Sequence, residues 1–234
     1  MTRGELAKAI DNTLLKPTAT REEVKRFCVR SLECHFAAVC LFPHWIGVAV
    51  QVLGDSDVKI CVPVGFPFGM NTTCAKVAEA RHAVSQGAAE IDVVINIGAL
   101  RSGDLDFVLK DLKEVVRAVR LAGMTENGEE PITKAILETC YLTDEEKKRA
   151  SELAVKAGAS FVKTSTGFGP KGATVEDVRL IRRVVGPEVG VKAAGGIRTW
   201  EQALALLNAG ATRLGTSAGV EILNEYSSRA AEGL

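Results

Sequence analysis

Short apolar runs alternate with amphipathic stretches along the whole chain. The apolar runs predict β-strands near residues 11–15, 36–41, 59–64, 90–95, 132–138, 160–163, 190–194 and 212–216. Between them the apolar positions return with a helical period. Leu105, Val108, Leu112, Val115, Val116 and Val119 share one helix face, and Val77, Ala80 and Val84 share another. Helix starts are marked at Thr20/Glu23, Thr143/Glu146 and Thr199/Gln202, each spaced for a capping box. Gly123, Gly158 and Gly210 follow helical patterns, where a left-handed C-terminal cap favours glycine.

Eight strand–helix repeats imply a parallel sheet, because parallel neighbours need a crossover helix between them. In 234 residues the natural solution is an α/β fold of the (β/α)8 TIM-barrel type, with a short N-terminal helix ahead of the first strand. An open doubly wound sheet is the alternative. No change in composition divides the chain, so residues 1–234 are expected to form one barrel domain. Segment 124–131 is polar enough for a loop and too short to separate domains.

Lys+Arg and Asp+Glu both number 29, so the formal net charge is zero. That balance argues against a nucleic-acid or anionic-membrane footprint. The first ten residues lack the apolar core of a signal peptide, and no apolar run reaches the roughly 20 residues needed to span a bilayer. The six cysteines are scattered without a Cys-x-x-Cys pair, which fits a reduced, cytoplasmic protein. His35, His44 and His82 have no metal-ligand spacing, so neither a metal nor another cofactor is expected.

Two lysines end buried strands: Lys163 in Phe161-Val-Lys-Thr-Ser-Thr-Gly167 and Lys192 in Val191-Lys-Ala-Ala-Gly-Gly-Ile-Arg-Thr199. Stripping an ammonium of water is costly, so two at strand ends suggest amine chemistry. Strand alternation puts Asp92 on the inward face with Val94 and Asn96, and puts Lys134 with Ile136 and Glu138. Lys134 and Glu138 read best as an interior ion pair, and Cys40 as a small buried hydrophobe. Residues 165–169, 194–198 and 215–219 are glycine-bearing loops where backbone amides can approach an anion.

At these residues the sequence resembles the deoxyribose-phosphate aldolase family of class I aldolases. Matching stretches include Ile10-Asp-Asn-Thr-Leu-Leu-Lys-Pro17, Gly65-Phe-Pro-Phe-Gly69 and Glu90-Ile-Asp-Val-Val-Ile-Asn96, together with both lysine motifs, in the family's order. The resemblance implies a cofactor-free, homo-oligomeric barrel (dimer or tetramer) that cleaves 2-deoxy-D-ribose 5-phosphate to acetaldehyde and D-glyceraldehyde 3-phosphate. It implies Lys163 as the Schiff-base lysine and Asp92 and Lys192 as its proton-transfer partners. Gly167, Gly195, Gly196, Arg198, Gly215 and Ser217 fall where the family binds phosphate. Asn12, Ala194 and Ala218 depart from the family pattern, and loss of a hydroxyl at Ala218 removes one possible phosphate contact. A Schiff-base aldolase or transaldolase acting on another sugar phosphate and a catalytically silent phosphate-binding barrel are the rival readings.

Overall fold

The computed structural model describes residues 1–123 and 130–231. Eight strands, β1 (Ile10–Leu14), β2 (Ala38–Leu41), β3 (Lys59–Val64), β4 (Glu90–Val94), β5 (Ile132–Ile136), β6 (Phe161–Lys163), β7 (Gly190–Ala194) and β8 (Arg213–Thr216), pair in parallel in sequence order. Ile10, Asp11 and Asn12 of β1 then register with Leu214, Gly215 and Thr216 of β8, which closes the barrel and rules out the open sheet. Helix α1 (Arg3–Lys8) precedes β1. Outside the strands lie α2 (Arg21–Glu33), α3 (Ile46–Leu53), α4 (Thr73–Ser85), α5 (Ile97–Arg101), α6 (Leu105–Leu121), α7 (Asp144–Ala157), α8 (Val175–Val185), α9 (Trp200–Asn208) and α10 (Gly219–Ala231). The fold is a (β/α)8 barrel.

The three expected capping boxes are formed, and a fourth joins Thr2 to Glu5 at α1. Gly158 caps α7 with φ 86° and ψ 24°. On α6, Val108, Leu112, Val115, Val116 and Val119 are buried against the sheet. The larger part of the core lies in this layer between strands and helices. Most of the expected loop segment, residues 124–129, lies outside the described residues.

Two strand ends differ from the sequence expectation. The fourth strand stops at Val94, and Asn96 turns outward to accept the Ala99 N–H as the N-cap of α5. The fifth stops at Ile136, and Glu138 adopts left-handed geometry. Alternation fixes a face only while the backbone stays extended, so Asn96 and Glu138 do not share the interior with Asp92 and Lys134.

Candidate active site

The register sorts the inward side chains into three layers. Ala38, Glu90, Phe161 and Arg213 come from even strands near the N-terminal rim. Asp11, Cys61, Lys134 and Lys192 come from odd strands above them. Cys40, Asp92, Lys163 and Gly215 follow from even strands again. Layers of four from alternate strands are the usual barrel filling, but such layers are normally branched and apolar. Here the β2–β3 side is apolar, where Cys40 packs with Leu15, Ala38 and Cys61. Apart from Phe161 and Gly215, the remainder is charged.

Asp92 is fully buried at the centre. Its Oδ2 accepts from Lys163 Nζ at 2.8 Å and from Lys192 Nζ at 2.7 Å, so the two amines are at most 5.5 Å apart. Its Oδ1 accepts from Lys134 Nζ at 2.8 Å and Cys61 Sγ at 3.2 Å. Burial by itself would raise this carboxyl, but Lys134, Lys163 and Lys192 together hold it well below the usual carboxylate range.

The three lysines differ in their other partners. Lys192 also meets Asp11 Oδ2 at 2.5 Å. Lys134 also meets Glu90 at 2.5 Å and Asp11 at 3.7 Å, and the expected ion pair with Glu138 is not formed. Burial opposes the charged form of both, but the facing carboxylates raise both above an ordinary lysine. Lys163 meets Asp92 alone, and its side chain is 4% exposed where those of Lys134 and Lys192 are fully enclosed. Of the three, it is the amine with the fewest anionic partners and the one that reaches solvent.

Three residues of this network, Asp11, Glu90 and Arg213, are not among the candidates the sequence singles out. Asp11 bridges Lys192 to Arg213, whose Nη1 stands 2.5 Å from Asp11 Oδ1 and 3.3 Å from Glu90 Oε1. Arg213 also lies 5.4 Å from the centroid of the Phe161 ring. Burial by itself would raise Asp11, but Lys192, Lys134 and Arg213 override it and hold the carboxyl below its ordinary value. Asn12, one register position on, points away from the barrel and donates to Ser31 Oγ at 3.0 Å. Its departure from the family pattern therefore lies outside the charged cluster.

Thr164 locks the two lysine strands together. Its N–H donates to Lys192 O at 3.0 Å, and its Oγ1 accepts the Ala194 N–H at 3.1 Å. Beyond it, the loops at Gly167 and Gly195 meet backbone to backbone. A Cβ on Gly195 would stand 3.5 Å from Gly167 Cα, and both glycines have positive φ, 87° and 89°. The N–H groups of Gly167, Gly195, Gly196 and Ser217 have no protein acceptor among the described residues. Arg198 is exposed and its guanidinium is likewise unpartnered, while its N–H caps α9 through Gln202. Gly215 sits within β8, and a Cβ there would stand 3.0 Å from Ala194 Cβ and 3.1 Å from Lys192 Cε. The Ala218 N–H is already taken by Thr216 Oγ1 at 2.9 Å.

Cys40, Cys61 and Asp92, and likewise Asp11, Cys61 and Glu90, place ligand-type atoms within 4.8 Å of one another. The ammonium groups already lie on those carboxylates, so a dication there would face like charges at close range. A cleft of about 720 Å³ opens at the N-terminal rim, lined in part by Lys8, Asp57, Glu90 and Arg213. It reaches only the floor of the charged cluster, so size alone does not locate the chemistry.

The DeoC/LacD family aldolase model matches residues 6–225. A deoxyribose-phosphate aldolase of Caldanaerobacter subterraneus subsp. tengcongensis is 55% identical over 221 residues, covering 94% of this chain and 93% of that protein. One from Thermococcus gammatolerans is also 55% identical, covering 94% and 95%. Among solved structures, the aldolase QR15 superposes with a TM-score of 0.87 at 42% identity, covering 97% of each chain. The deoxyribose phosphate aldolase of Aeropyrum pernix, described as a tetramer, gives a TM-score of 0.87 at 31% identity, covering 97% of this chain and 93% of that one. The chain belongs to the DeoC/LacD family of aldolases.

Proposed function

We propose that the protein is a class I aldolase that reversibly cleaves 2-deoxy-D-ribose 5-phosphate to acetaldehyde and D-glyceraldehyde 3-phosphate, with residues 1–234 acting as one catalytic domain. The observation that carries the reading is the pair of Lys163 and Lys192 amines on one buried carboxylate oxygen of Asp92.

Lys163 attacks the open-chain aldehyde carbon, and loss of water leaves an iminium. The cluster joins four cations (Lys134, Lys163, Lys192 and Arg213) to three carboxylates (Asp11, Glu90 and Asp92). Its charge therefore balances when one amine is neutral, and Lys163 is the lysine with a single carboxylate partner. The iminium nitrogen then accepts the electron pair of the C2–C3 bond, and the product is an enamine. The C3 hydroxyl proton must leave as that bond breaks. In the resting site Asp92 is held by four donors and is a poor base. Imine formation draws the Lys163 nitrogen toward substrate and frees a lone pair on Oδ2 for a bridging water, which takes the proton and passes one to Oδ2 as D-glyceraldehyde 3-phosphate departs. Lys192⁺, anchored by Asp11, keeps that carboxylate oriented. Protonation at C2 and hydrolysis release acetaldehyde and restore Lys163.

The phosphate lies at the free amides of Gly167, Gly195, Gly196 and Ser217, with Arg198 at the rim and Gly215 acting indirectly through Lys192. Neither a metal nor a cofactor enters the proposed sequence. A homo-oligomer is the proposed assembly, by analogy with the tetrameric Aeropyrum pernix relative. The six unpaired cysteines suit a reducing cytoplasm.

Borohydride reduction in the presence of acetaldehyde should attach two carbons to Lys163, and the adduct should vanish in Lys163→Ala. Label on another lysine, or label persisting in that variant, refutes the assignment. Product analysis with deoxyribose 5-phosphate against fructose phosphates separates this reading from that of an aldolase or transaldolase with another substrate.

A further inference from the structure

Glu138 takes no part in the steps above, yet it is buried just beyond the end of β5, with 2% of the residue exposed. Its backbone, with φ 56° and ψ 65°, lies in the left-handed region that L residues avoid. Such a conformation persists where the surroundings over-determine it. Those surroundings are the loop that follows β6. Thr166 donates to Glu138 Oε2 through both its N–H, at 3.3 Å, and its hydroxyl. The Thr166 oxygen in turn accepts the Phe168 N–H at 3.0 Å, across Gly167. Cys140 Sγ lies 3.6 Å from Glu138 Oε1. Two further bonds tie the same strand exits together, Leu137 N–H to Lys163 O and Thr139 N–H to Thr164 O, each at 2.9 Å. Gly169 completes the fit, since a Cβ there would stand 3.1 Å from Glu138 Cδ and 2.7 Å from Cys140 Sγ.

We infer that Glu138 is a positioning residue for phosphate recognition: it fixes the turn at 166–168 so that the unpartnered Gly167 amide faces the phosphate of the substrate. The inference rests on the reading of that loop as a phosphate site. A carboxylate aimed at a phosphate would repel it. Glu138 instead directs Oε2 to two donors from Thr166 and acts as an internal strut. A charged acceptor holds those donors about twice as strongly as a neutral one, which gives a reason for an acid at this position.

The test compares the parent with E138A, E138Q and T166V on 2-deoxyribose 5-phosphate and on unphosphorylated 2-deoxyribose. Borohydride trapping of acetaldehyde monitors the lysine chemistry alongside. E138A should raise KM for the phosphorylated sugar about tenfold or more, the effect of losing one such hydrogen bond. Its kcat, its kcat/KM for deoxyribose and its imine trapping should stay near the parent's. E138Q, which keeps a carbonyl acceptor, should recover part of the loss. T166V removes the hydroxyl from the other side of the contact and should reproduce the E138A effect, adding little when the two are combined. Equal losses on both sugars, or no loss on either, overturn the inference. If E138A does not fold, E138Q and T166V decide it by the same criterion. Failure of the parent to cleave the phosphorylated sugar would instead overturn the underlying function, and this inference with it.

Discussion

Lys134, Lys163 and Lys192 carry the same side chain, and their carboxylate neighbours separate them. Lys192 is held by Asp92 and Asp11, and Lys134 by Asp92, Glu90 and Asp11, while Lys163 has Asp92 alone. Replacing Lys192 by leucine should lower kcat by about 10²–10⁴-fold, the range for loss of a proton-transfer group, while far-ultraviolet circular dichroism stays that of the parent. A pH–rate profile matching the parent in height and position would remove Lys192 from the mechanism. Asp11→Asn tests the anchor beneath it. Removing one partner from a buried charge pair costs about 3–5 kcal/mol, so urea unfolding should show a loss of that order. Turnover should also fall, because Lys192 loses the carboxylate that holds it at 2.5 Å. Stability equal to the parent's would mean that Asp11 holds nothing in place.

At the scale of elements, the site depends on how β6, β7 and β8 pass one another. Lys163 and Lys192 are register partners, and Thr164 bonds across to both Lys192 O and Ala194. Gly215 on β8 then leaves the space through which Lys192 reaches Asp92. Gly215→Ala should displace the Lys192 chain and lower kcat while the thermal midpoint falls by only a few degrees, the size expected for about 1 kcal/mol of overpacking. Unchanged kcat would show that the lysine has room to spare. The strands and caps were legible in sequence because side-chain alternation and capping chemistry act within a few residues. The breaks at Asn96 and Glu138 were not. Both lie just past a strand end, where the side chain is aimed by a helix N-terminus or by a neighbouring loop.

For the whole molecule, the charged interior ties stability to pH. Asp11 and Asp92 are held below the ordinary value of 3.8 in the folded state. A carboxyl lowered by folding contributes fully above its unfolded value, and that contribution declines as the pH falls from there through the folded value. Stability from these two groups should therefore be level above about pH 5 and drop steeply below the ordinary carboxylate range. Denaturant midpoints measured from pH 6 to pH 2.5 would check this, and a Lys192→Leu protein should show a shallower acid limb because it has lost one of the cations responsible. The sequence by itself determined the repeating strand–helix period, the barrel class, the inward placement of Asp92 and the glycine loops beside the two lysines. These follow from local rules of backbone geometry and side-chain alternation. Only the tertiary structure decided which acid serves which base. Lys163 meets Asp92 across 71 residues, Lys192 meets it across 100, and Arg213 meets Asp11 across 202. Those meetings are fixed by the stagger of eight strands and by the closure of β8 on β1, a global register that no local stretch of sequence encodes.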